Sequence, residues 1–197
     1  MKKTTTAYAA GLAVLVAAGT AVPAVATGTT PTGVEDLIPV LAAPQTGADR
    51  APDGLDLVAL GGIDPDSLRT LGSDDAGDYW VGRAGGAEVC LVTRLAVDPE
   101  LAASTCAPIT AFSRVGLSLV AGLSADDPAL AAEAYLLPSD IGAPPVAQGL
   151  ASRSAGGQPG FISGRPDQLE ALEPFEVERP DGPAFRFAPL SLEGGTR

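Results

Sequence analysis

The side chains of this chain that could do chemistry are few in kind. There is no histidine, and the two lysines are Lys2 and Lys3, so every later cation is one of ten arginines. Against them stand 24 carboxylates and two cysteines, Cys90 and Cys106. Without histidine a serine hydrolase triad loses its base and a zinc hydrolase a customary ligand, and a Ser–Lys dyad finds no lysine beyond residue 3. What remains is carboxylate, hydroxyl, guanidinium and thiol chemistry.

Two carboxyl groups can act as general acid and nucleophile on a glycosidic bond. The best local grouping is Asp74, Asp75, Asp78 and Glu88, which flank Tyr79 and Trp80, aromatics able to stack on a sugar. The plainer reading makes them ordinary surface acids, since a small domain offers little cleft in which to raise one pKa. Carboxylates also bind calcium, but neither Asp64-Pro65-Asp66 nor the run from Asp74 to Asp78 has the spacing of a calcium loop. Helix capping accounts for the first and turn preference for the second, so neither metal nor cofactor is expected. Arg50, Arg69, Arg83 and Arg94 can pair with surface acids or hold an anionic ligand, and the excess of acids favours pairing. Gly61-Gly62 and Gly85-Gly86 are lone glycine pairs rather than a phosphate loop.

The cysteines have three possible uses. A reactive thiolate wants a neighbouring cation or a Cys-x-x-Cys spacing, and a zinc site wants four ligands; this chain has neither the spacing nor the histidines. A Cys90–Cys106 disulfide is therefore expected, which suits an oxidising compartment. Closing a loop of about 15 residues contributes on the order of 3 kcal/mol.

The N-terminus agrees with that compartment. Lys2 and Lys3 are followed by an apolar stretch from Ala7 to Val22, then by Pro23 and Ala24-Val25-Ala26. Small residues at the third and first positions before a cut are what a signal peptidase accepts, so residues 1–26 read as a signal peptide cleaved between Ala26 and Thr27. An uncleaved anchor is the alternative, and Pro23 with the Ala-x-Ala site argues against it. Cleavage removes both lysines and leaves ten positive charges against 24 negative, a net charge of −14 in place of −12. Such a chain does not seek nucleic acid, whose phosphates need a cationic face, and no later run is apolar enough to span a membrane.

The elements that must position these residues form one α+β domain, a small antiparallel sheet with short helices. Residues 27–47 read as a flexible leader, 48–190 as the domain with an irregular C-terminal part, and 191–197 as a tail. Asp64 to Leu71 has a capping Asp, Pro65 at the first helical position and Leu68 and Leu71 on one helical face. Asp78 to Arg94 reads as a β-hairpin turning at Ala84 to Ala87, its second strand apolar on both faces and so internal to the sheet. Cys106 falls between two expected helical turns, one starting at Asp98 and one at Pro108. Leu117 to Val120 reads as a strand, and so does Ala131 to Leu137, whose alanines also allow a helix but whose Tyr135 and following Pro-Ser-Asp turn favour the strand. Shorter candidates follow at 146–152, 160–163, 175–178 and 184–187, with a helical turn at 167–172.

The order of Ala48 to Pro52, Asp64 to Arg69, Tyr79 to Arg83, Val89 to Val92, Cys106, the strand after Gly116, and Ala134 to Gly142 resembles a group of uncharacterised exported proteins of high-GC actinobacteria. In that group a Cys-Leu-Val strand and a later Cys precede a Leu-x-Pro-Asp-Gly-Val turn, where this chain has Leu137-Pro138-Ser139-Asp140-Ile141. The resemblance covers about residues 48–142, not 143–197. It implies export and the disulfide, and supplies no activity.

The sequence thus leads to a secreted protein of the extracellular or cell-envelope space. It is read as a non-enzymatic domain that binds a partner protein or wall component through its sheet, with a carboxylate-dependent glycan hydrolase as the alternative. Mass spectrometry of the exported, unfolded chain should find a start at Thr27 and no thiol open to alkylation. A retained residue 1–26 segment or two alkylated cysteines would contradict this.

Overall fold

A computed structural model of the chain describes residues 33–124, 127–140, 158, 160–170, 174–177, 179, 184–187, 189 and 190. The signal peptide with its cleavage site, the candidate strand at 146–152 and the tail at 191–197 lie outside the described residues. The strands are all antiparallel and fall into three sheets. β1 (Arg69–Ser73), β2 (Gly77–Ala84), β3 (Glu88–Leu95) and β4 (Ala102–Pro108) form a meander in that order. β5 (Leu117–Gly122), β6 (Ala131–Leu136) and β7 (Phe161–Gly164) form the second sheet, and β8 (Phe175–Val177) and β9 (Phe185–Phe187) pair as a third. The helices are short: α1 (Val34–Leu37), α2 (Ile109–Val115) and α3 (Pro166–Leu169).

The expected hairpin is β2–β3, in unbroken register from Gly77 opposite Leu95 to Ala84 opposite Glu88. Gly85 and Gly86 carry the reversal at φ 57° and 77°, a backbone region that side chains with a Cβ rarely adopt. β3 lies between β2 and β4 and is buried on both faces, as its run of apolar residues implies. Successive side chains of a strand point to opposite faces. Val89, Leu91 and Leu95 accordingly join the core shared with the second sheet, while Cys90 and Val92 join a separate cluster with Leu57, Ile63, Leu68 and Trp80. β6 divides the same way: Ala132, Ala134 and Leu136 face the shared core, and Tyr135 faces outward to a third cluster with Leu137, Leu169 and Phe187.

The Cys90–Cys106 disulfide is present, joining directly opposed residues of β3 and β4 whose Cα atoms are 4.1 Å apart. That separation belongs to a pair without mutual main-chain hydrogen bonds. Cys106 therefore sits within a strand between the two expected turns: the first is a single turn closed by the Leu101 N–H on the Asp98 carbonyl (3.0 Å), and the second is α2. Its flanks, Ala102 to Ala107, are small residues with little strand preference of their own, and pairing with β3 decides their conformation.

Two further expectations change. The helix from Asp64 to Leu71 is a single 3-10 turn, Pro65–Ser67, capped by Asp64 as expected, and the chain then enters β1. Leu68 and Leu71 go to opposite sides of the sheet, the former to the Trp80 cluster and the latter to the shared core, where a helix would have put them on one face. The leader also ends earlier than residue 47, because Val34, Leu37, Ile38 and Leu41 are buried in the shared core. Pro39 stops α1 after four residues, yet the 3-10 turn that follows, Pro39–Ala42, keeps the apolar residues inward.

The free edge of β1 is sealed by this N-terminal segment. Asp49 Oδ1 accepts from the Thr70 N–H (2.9 Å), and Gln45 Nε2 donates to the Leu68 carbonyl (3.2 Å). Asp49 Oδ2 also accepts from the Thr46 hydroxyl (2.7 Å) and Thr46 N–H (2.6 Å). Burial by itself pushes the Asp49 carboxyl up, but these hydrogen bonds together outweigh it and hold the carboxyl below its ordinary range. A depressed acid stabilises the fold above its unfolded pKa and loses that contribution as pH falls through the folded value. Asp49→Ala should cost about 1 to 3 kcal/mol at pH 7, since a buried N–H loses its acceptor. In thermal melts between pH 7 and pH 3 the difference between wild type and variant should shrink on the acid side. A constant difference would show that the carboxylate charge is not what matters.

Candidate functional site

The acidic grouping does not survive folding as a unit. Asp74 lies in the β1–β2 turn, where Oδ1 accepts from the Ala76 N–H (2.8 Å), the Gly77 N–H (3.0 Å) and the Tyr79 hydroxyl (3.0 Å). Its Oδ2 accepts from the Ser163 hydroxyl of β7 (2.7 Å), so this carboxylate ties the first sheet to the second. Asp75 pairs with Arg165 (2.5 Å) and Asp78 with Arg94 (2.6 Å). Glu88 stands at the other end of the hairpin, opposite Ala84, whereas Asp78 stands opposite Arg94. Six residues of strand separate those ends, roughly 20 Å. Three of the four acids thus share one end of the hairpin, each already partnered, and Glu88 is not brought to them.

The aromatics do not present a sugar platform either. Tyr79 is fully buried in the shared core, edge-on to Phe161 at 5.4 Å, and burial, with Asp74 beside it, pushes its hydroxyl pKa up. Trp80 is buried on the opposite side of the sheet with the Arg94 guanidinium 6.0 Å from its ring centroid. Asp64 accepts from the Asp66 N–H (3.0 Å) as a helix-turn cap. Among the described residues no three acids or cysteines stand close enough together to hold a metal ion.

Among the described residues Arg83, Arg94, Arg165 and Arg179 pair with acids. Arg83 pairs with Glu35 of α1, and this hydrogen bond is the main reason that the Glu35 carboxyl lies below its usual range. Arg179 bonds both Asp140 and the Ser113 carbonyl. Arg69 serves carbonyls instead, donating to Ala43 (2.9 Å), Asp66 (3.0 Å) and Leu68 (2.7 Å), which packs the N-terminal segment onto β1.

The concave feature lies elsewhere, on the outer face of the second sheet. A pocket of about 260 Å³ has Tyr135, Leu137 and Phe187 as its buried floor, and Ser118 of β5 on one side. Val115 and Leu190, 61% and 45% exposed, belong to its lining together with the exposed Arg186, so the rim is apolar with one cation. Gly116 turns the chain from α2 into β5 at φ 74°, and a Cβ there would lie 2.5 Å from the Leu136 carbonyl, so the pocket's corner requires glycine. The floor aromatics meet edge to face, Tyr135 to Phe187 at 4.8 Å, and Phe175 stacks on the far side of Phe187 at 4.8 Å.

Beside the floor, on the same face of β6 as Tyr135, is a buried acid. Glu133, 1% exposed, accepts from the Tyr135 hydroxyl and from the Leu190 N–H (2.9 Å), and the same N–H reaches the Tyr135 oxygen. Burial pushes the Glu133 carboxyl up, and the two hydrogen bonds offset this only in part. These bonds hold residue 190 over the pocket. Sequence reading missed the site because its parts come from α2, β5, β6 and β9. One signal was present: a lone acid, Glu133, inside an otherwise apolar strand from Ala131 to Leu137.

No family model, curated protein or solved structure matches this chain. The pocket is therefore interpreted from its own geometry.

An acid whose folded pKa is raised contributes stability below its unfolded pKa and loses it as pH rises through the folded value. Glu133→Gln keeps an oxygen to accept both bonds and removes the charge. The variant should match wild type in melting temperature near pH 4 and exceed it at pH 7. If wild type is the more stable at pH 7, Glu133 is held as a well-compensated carboxylate.

Proposed function

We propose that this protein is an exported domain that binds a partner protein or wall component at the outer face of the β5–β6–β7 sheet. The observation that carries this reading is the pocket floored by Tyr135, Leu137 and Phe187, with the exposed Val115 and Leu190 and a single cation, Arg186, in its lining. Convergent exposed apolar side chains around a concavity mark interaction sites more often than isolated ones do. Export is supported by the Cys90–Cys106 disulfide, by the sequence pattern of residues 1–26, and by the resemblance of residues 48–142 to exported actinobacterial proteins. Among the described residues no helix is long and apolar enough to cross a membrane.

The test is retention of exported proteins and purified wall material by the immobilised chain from Thr27 onward. Val115→Asp/Leu190→Asp should reduce retention of its ligand at least about tenfold, as losing a central apolar contact does, with the melting temperature little changed because both side chains are exposed. Asp78→Asn should retain as wild type does. Equal retention by the pocket variant would remove the pocket from the reading. Sugar release from wall material, abolished by Asp78→Asn, would replace binding by glycan hydrolysis.

A further inference from the structure

The main chain of β5 is open on the side away from β6. Leu123 N–H bonds the Leu130 carbonyl (3.1 Å), which fixes the alternation: Leu117, Leu119 and Ala121 exchange main-chain bonds with β6. Ser118, Val120 and Gly122 then direct N–H and C=O outward, and among the described residues these groups have no hydrogen-bond partner. The strand has no charged residue and its register with β6 is unbroken from Leu117 to Gly122. Charges, bulges and prolines are the devices by which edges are usually closed to further pairing.

Apolar side chains collect along the same edge. Of the five large hydrophobic residues exposed among those described, Val115 precedes β5, Leu123 follows it and Leu190 lines the pocket beside it. Ser118 lies opposite Tyr135 in the sheet, on the outer face, and both line the pocket. A residue paired with Ser118 on an added strand would point to that same face and stand next to the pocket. The edge of β4 is also open at Ala102, Ser104 and Cys106, but one side of it is overlaid where the Ser104 hydroxyl bonds the Leu60 carbonyl (2.5 Å). At β1 the Thr70 N–H is taken by Asp49, and Gln45 takes the Leu68 carbonyl just before the strand.

We infer that β5 accepts an extended segment of a partner protein as an added antiparallel strand, with an aliphatic or aromatic side chain opposite Ser118 entering the pocket. Main-chain bonds to Ser118, Val120 and Gly122 supply general affinity, and the pocket supplies selectivity. A second copy of this chain is the disfavoured occupant, because two molecules that each carry 24 acids against ten or twelve basic residues repel. The inference rests on the binding reading above and specifies the partner's chemistry.

The probe is a displayed library of random uncharged-backbone decapeptides, selected on the mature chain and followed by amide hydrogen exchange of the complex. Selected peptides should share a large apolar residue within an alternating run and should slow exchange at Ser118, Val120 and Gly122 at least tenfold, leaving Ala102, Ser104 and Cys106 unchanged. Val120→Pro removes one outward N–H that the sheet itself does not use, so the fold should persist while binding falls at least tenfold. Peptides that lose binding in Val115→Asp/Leu190→Asp without protecting the three amides would overturn strand addition and leave the pocket reading standing. Failure to select any peptide would overturn strand addition, and binding indifferent to both sets of variants would overturn both. A concentration-dependent dimer that protects the three amides without peptide would assign the edge to a second copy.

Discussion

A strand at the edge of a sheet carries main-chain N–H and C=O groups that must be capped, covered or left for another chain, and much of this molecule is arranged around that constraint. β3 sets the pattern. Its two faces feed two separate apolar clusters, so a slip of one residue would turn Leu91 and Cys90 to the wrong sides. The disulfide between Cys90 and Cys106 holds β4 in the one register that this division allows, and the parity so fixed decides which β4 groups face outward. At the opposite side of the sheet the chain spends residues 45–49 on closing β1, where Asp49 and Gln45 take the outward groups at Thr70 and Leu68. Among the described residues no such segment closes β5.

The acidity of the chain has a structural explanation in the same terms. There is no asparagine in the sequence, and aspartate takes over the turn-capping work that asparagine shares in other proteins. Asp56 accepts from the N–H groups of Val58 and Ala59, Asp98 from Glu100 and Asp127 from Ala129, in addition to Asp64 and Asp74. Other acids are neutralised by arginines that pin one element to another, as Asp75 does with Arg165 before α3 and Glu35 with Arg83 between α1 and β2. A high count of carboxylates is thus compatible with few that are available for acid–base chemistry. Glu133 differs from the rest, because it is buried beside the pocket floor and held by Tyr135 and residue 190.

Local patterns in the sequence were readable where local physics decides the outcome. The β2–β3 hairpin follows from aromatic and β-branched runs around two glycines, and β5 and α2 follow from short-range signals, whereas the alanines of β6 allow a helix as well as the strand that forms. Long-range pairing decided the rest. Ala102 to Ala107 has no strong preference and becomes β4 only against β3, and Arg69 to Ser73 becomes an edge strand although Leu68 and Leu71 are spaced for a helix. Val34 to Leu41 is too broken by Pro39 to declare itself, yet its apolar residues have the shared core to enter. The pocket was least legible because Tyr135 and Phe187 are brought together by sheet packing over a separation that no sequence period records.

Unequal treatment of the edges is the central claim, and native-state amide hydrogen exchange of the unliganded chain tests it most directly. Slow exchange is expected at Thr70, whose N–H is capped by Asp49, and at Leu119 and Ala121, which pair with β6, while Ser118, Val120 and Gly122 exchange rapidly. Protection of those three amides at a level equal to Leu119 would mean that the β5 edge is already paired, and would contradict the account.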